Sequence, residues 1–200
     1  MPDPRQVLQE GQHVLEQLGS SDAPEVRVQR GRVLLSMALA FRASPGLGTS
    51  LGPAVDHARR ALQELDGVEP NGAAEARLTL AHLLVEQGDP GSLDEALDLI
   101  VLTSRALSEQ GDAVAAASLL NDQALVWLKL GDPVRATHLL KSALEAQQGF
   151  GDSLQARLEG AETHHLIARL PLYAATRAGM EEAAIDSALE HLERAEAAFR

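Results

Sequence analysis

LNDQALVWLKLGDPVRATHLLKSALEA, residues 120–146, is the stretch whose reading decides the fold. Apolar residues recur at helical spacing on both sides of Gly131-Asp132-Pro133, but the apolar face changes across that break. Such a break ends one helix and starts another. Glycine takes the left-handed conformation that closes a helix, aspartate caps the free amides of the next, and proline fits its first position. Trp127, the single tryptophan, stands one turn before the break among Ala124, Leu128 and Ala136. The spacing therefore predicts a helical hairpin with small residues at its crossing points.

Working outward, the same punctuation recurs. Helices are expected over 5–18, 24–42, 53–65, 73–87, 93–110, 113–130, 134–148, 153–170 and 180–199, nine in all with no strand. The glycine- and proline-rich ASPGLGTSLGP, 43–53, reads as the longest loop. Helix starts fall at Gly72, Gly111 and Gly151, 39 and 40 residues apart, and those of the alternate helices near Ser92 and Asp132, again 40 apart. A helix pair repeated at this period cannot bury its apolar faces alone, so neighbouring pairs must stack. Laid on one another by their Gly-Asp turns, EARLTLAHLLVEQGD (75–89) and SLLNDQALVWLKLGD (118–132) match Ala81 to Ala124, Leu84 to Trp127 and Gly88 to Gly131. LDEALDLIVLTSRAL (93–107) over PVRATHLLKSALEA (133–146) matches Ala96 to Ala136, with GDPGS read as a turn about three residues longer.

These positions resemble the tetratricopeptide repeat (TPR), in its longer variant of about 40 residues. Ala124, Trp127, Gly131-Asp132, Ala136 and Ala143-Leu144 match its packing and turn positions, with Gly31 or Ala38 and then Ala54, Ala58 and Ala61 in a first, more divergent unit. The resemblance implies an all-α fold: an α-solenoid of antiparallel helix pairs in a right-handed superhelical stack. It spans residues 1–200 as a single domain, with an N-terminal helix (1–20) and repeats over 22–66, 72–110, 112–149 and 152–200.

Composition narrows the function. Lysine and arginine number 17 against 29 acidic residues, a net charge of −12, which repels phosphate backbones and anionic lipid. No nucleic-acid partner is expected. No apolar run approaches the ~18 residues of a membrane span, and the N-terminus lacks a secretory pattern, so a soluble, cytoplasmic protein is expected. With no cysteine there is no disulfide, thiolate nucleophile or cysteine-ligated zinc.

Motifs that suggest chemistry lack its context. Gly48-Thr49-Ser50-Leu51-Gly52 has the spacing of a nucleophile elbow, which needs a strand and sheet behind it. Glu10-Gly-Gln-His13 and Glu162-Thr-His-His165 have the Glu-x-x-His spacing of di-iron bundles, which also need a glutamate from each of two further helices. No catalytic set, metal site or cofactor is expected, and the chain is read as not an enzyme.

The resemblance implies instead a concave face lined by the first helix of each pair. Carried over by position, its polar contacts are Arg32, His82, Glu86, Asn121, Lys129, Glu162 and His165. The expected function is binding of a protein or peptide segment in that groove. A second reading is a bacterial-type sensor module that controls an output domain or partner, and a third is a small helical enzyme with an unrecognised site. Ile185, Ala188, Leu189, Leu192, Ala195 and Phe199 form an apolar stripe expected to pack on the eighth helix. Any remainder would leave an open end, implying a homodimer through the terminal helices or continuation in a longer chain.

Overall fold

A computed structural model describes residues 3–43, 50–147, 149, 154–178 and 182–198. Among these it is all-helical, with nine helices and no strand: α1 (Pro4–Leu18), α2 (Pro24–Arg42), α3 (Gly52–Leu65), α4 (Pro70–Gln87), α5 (Pro90–Glu109), α6 (Ala113–Lys129), α7 (Pro133–Gln147), α8 (Leu154–Ala178) and α9 (Glu182–Ala198). The chain divides into two compact units, residues 1–99 and 100–200, with the division inside α5.

The Gly-Asp turns are built alike. Gly88, Gly111 and Gly131 adopt φ of 75°, 82° and 81°, a region closed to most side chains. In each turn the following aspartate accepts a hydrogen bond from the backbone three residues on: Asp89 from Ser92, Asp112 from Ala115 and Asp132 from Arg135, all at 3.0 Å. The Asp112 and Asp132 amides bond back to Leu107 and Trp127 carbonyls, closing helix ends that would otherwise hold orphan acceptors.

Several helix limits differ from expectation. GDPGS is not a longer turn: Pro90 sits directly after Gly88-Asp89 and opens α5, so the additional residues extend the helix. Likewise α4 begins at Pro70 rather than near residue 73, because Pro70 fits the first helical position and the Ala73 amide reaches the Glu69 carbonyl. α8 continues through Pro171 to Ala178 instead of ending near Leu170. That proline removes one amide donor, and the alanine-rich run after it propagates the helix. Residues 44–49 of the expected long loop lie outside the described residues. So do Gly151, Met180 and Phe199.

In the first unit, α2 and α3 are antiparallel. Arg27 donates to the Gln63 and Asp66 carbonyls at the end of α3, and Arg30 forms a two-pronged pair with Glu64. Leu34, Leu35, Ala61, Leu65, Ala73 and Ala76 form the core between α2, α3 and α4. Gly31 makes the close approach possible, since a Cβ there would stand 2.5 Å from Leu65 Cγ. In the second unit, Ala124, Leu128, Ala136, Leu140 and Leu166 bring α6, α7 and α8 together, with Trp127 packed at the side. The alanines assigned to crossing points are sealed: Ala81, Ala96, Ala124, Ala136 and Ala143 have no exposed surface. The Arg135 guanidinium lies 4.3 Å from the Trp127 ring centre, covering its outer face.

α9 packs on α8 through a narrower strip than expected. Ala195 is buried, whereas Leu189 and Leu192 are 54% and 43% exposed. The reason is angular. His191 and Ala195, one turn apart, face α8, while Leu192 lies to one side of that line and Leu189 nearly opposite it. No side-chain position is described for Ile185.

Candidate functional site

Residues 32–42 and 69–86 assemble a groove in the first unit. α2 and α4 pack side by side, and two ion pairs show that they run parallel: Arg32 with Glu69 at one end, and Arg42 with Glu86 (2.6 Å) at the other. Between them opens a cavity of about 520 Å³. Its floor is Leu35, Leu65 and Gly72; Arg32, Ser36 and Leu39 form the α2 wall, and Glu69, Asn71 and Glu75 the α4 wall. The α2 residues recur at the three- and four-residue steps of one helical face. Gly72 keeps the floor low, since a Cβ there would stand 2.7 Å from Glu69 Oε2.

The charges are uneven. Arg32 donates to both Glu69 oxygens, and this bond holds the Glu69 carboxyl below its usual range while raising Arg32. Glu75 adds a second negative charge near the same guanidinium. One arginine thus faces two carboxylates, beside Leu39 at 40% exposure.

The expected contact residues fall into different settings. Arg32 lines the cavity, and Glu86 is exposed and paired with Arg42. His82 is half-buried on α4, two turns beyond Glu75 on the same stripe.

In the second unit, Asn121 is an internal tie, 1% exposed. Its Oδ1 accepts from the Thr163 hydroxyl at 3.0 Å, and Gln147 Nε2 donates to that hydroxyl oxygen at 2.8 Å, so α6, α7 and α8 meet at one threonine. Asn121 Nδ2 and Gln147 Oε1 are buried with no hydrogen-bond partner among the described residues. Lys129 is exposed in the last turn of α6, and Glu162 and His165 are exposed on α8. Glu159, one turn before Thr163, has its carboxyl pushed up by burial and by the nearby charges of Glu162 and Asp122.

The motifs singled out for chemistry are held by local contacts. Ser50 accepts from the Gly52 amide at 3.1 Å at the opening of α3; Gly48 and Thr49 lie outside the described residues. Glu10 accepts from Gln6, and His13 pairs with Gln17, each one turn away. Beside His165, it is His164 that finds a histidine partner: its Nδ1 lies 2.8 Å from His191 Nδ1. Among the described residues no three acidic or histidine side chains gather as a metal site, and no helix is long and apolar enough to cross a membrane.

Sequence reasoning missed Ser36, Leu39, Glu69 and Glu75. Ser36 and Leu39 follow Arg32 at helical steps and were within reach of periodicity. Glu69 precedes its helix and meets Arg32 only through packing, so no local signal marks it.

No protein-family model and no curated protein matches the chain. In fold it is similar to a crystal structure of BtubC (BKLC) from P. vanneervenii, with a TM-score of 0.55 and 17% sequence identity over 98% of this chain and 85% of that one. At that identity the likeness concerns the fold alone.

Proposed function

We propose that this chain is a non-catalytic interaction module, a TPR-like array of antiparallel helix pairs that receives a protein or peptide segment along the face formed by the first helix of each pair. The observation that carries the reading is the groove between α2 and α4: open, walled on both sides by one face of each helix, and containing Arg32 among its lining. The starts of α4, α6 and α8, 43 and 41 residues apart, those of α5 and α7, 43 apart, and the matching Gly88-Asp89 and Gly131-Asp132 caps support the repeat arrangement. Helix-built grooves with an apolar floor and a polar rim suit extended or helical peptides.

A photo-crosslinking amino acid at Leu39 or Glu75 tests it, with Arg60, exposed on α3, as the control position. Adducts with the same cellular protein are expected from positions 39 and 75 and not from 60. Adducts from position 60 alone would place the interaction elsewhere.

A further inference from the structure

We infer that the α2/α4 groove selects a segment carrying an aliphatic side chain next to a basic one, a specificity that rests on the groove being the binding face. Leu35 and Leu65 form an apolar floor with Leu39 at its open edge, which suits an aliphatic side chain and offers a buried charge nothing. Beside this floor stand two carboxylates, Glu69 and Glu75, and one guanidinium, Arg32. The Arg42–Glu86 pair further along contributes no net charge. A cationic side chain is therefore the complement that completes the groove, and an acidic one meets uncompensated Glu75.

Arg32 is a competitor for that cation rather than a contact for the ligand. Its side chain is 66% exposed and reaches Glu69 from the solvent side. Solvent screens the exposed guanidinium, so an incoming lysine or arginine competes with it for the Glu69 carboxylate. The chain's charge of −12 adds long-range attraction for a basic segment and makes its association sensitive to salt.

Fluorescence anisotropy with a labelled, end-blocked GSGLRGLRGS peptide tests the proposal, with arginine-to-glutamate and leucine-to-serine versions beside it. The Leu-Arg peptide is expected to bind more tightly than both, Glu75→Gln to weaken it by about fivefold, and Arg32→Ala to leave it equal or tighter. Thermal melts establish that each variant is folded. Equal binding of the glutamate peptide, loss of affinity in Arg32→Ala, or no binding of the Leu-Arg peptide overturns the specificity. Crosslinking at Leu39 separates the two levels: adducts whose contact segment lacks a basic residue sink the specificity alone, whereas no adduct at Leu39 sinks the groove reading with it.

Discussion

At Gly31 the sequence offers only a small residue in a helix, where glycine costs about 1 kcal/mol relative to alanine. The reason for it is Leu65, whose side chain occupies the space where a Cβ would project. Gly31→Ala should therefore destabilise the chain by about 1–2 kcal/mol despite its better helix propensity. In a Leu65→Ala background the same change should turn neutral or stabilising, and a double-mutant cycle from thermal melts measures the difference. Thr163 shows the complementary case, a buried hydroxyl serving two amides. Thr163→Val keeps the shape but strands Asn121 and Gln147, a loss of about 1–3 kcal/mol in urea unfolding followed by Trp127 fluorescence. Asn121 was legible as a polar residue between packing positions. That it points inward was not, because its partner Thr163 comes from a helix 42 residues further along.

At the scale of elements, the helices and their caps were readable because each depends on neighbours within four or five residues. The aspartate caps are the clearest instance: Asp112→Ala and Asp132→Ala should each cost about 1 kcal/mol in a thermal melt. The α8–α9 contact was not readable. Burial pushes His164 and His191 below the usual histidine range, and Arg194 pushes both further, while Glu190 partly opposes this at His191. The folded state thus favours neutral rings. Their contribution is complete above about pH 6.5 and is lost as pH falls from there towards the folded values. Protonating both rings also ends the Nδ1–Nδ1 hydrogen bond. Hydrogen exchange of α9 peptides, corrected for intrinsic rates, should show protection falling between pH 7.5 and 5.5, and His191→Gln should flatten that dependence. Burial and Arg60 also push His57 down, but its effect belongs to α3 and separates by peptide.

At the scale of the whole molecule, an excess of acidic residues sets the solution behaviour. With an isoelectric point near 4.9, mutual repulsion fades as pH falls, so turbidity at low salt should rise towards pH 4.9 even in His191→Gln, where the α9 contact no longer titrates. The sequence by itself determined the helical class, the nine helices among the described residues, the Gly-Asp turns at 88, 111 and 131, and the alanines at crossing points, because each follows from periodicity or from contacts a few residues away. Tertiary structure alone decided which polar residues face a groove and which are consumed inside. Arg32 and Asn121 are both polar residues of a pair's first helix, yet one lines an open cavity beside Glu69 and Glu75 and the other is sealed against Thr163. The deciding contacts join residues 37 and 42 positions apart, and helical periodicity carries no information about partners at that separation.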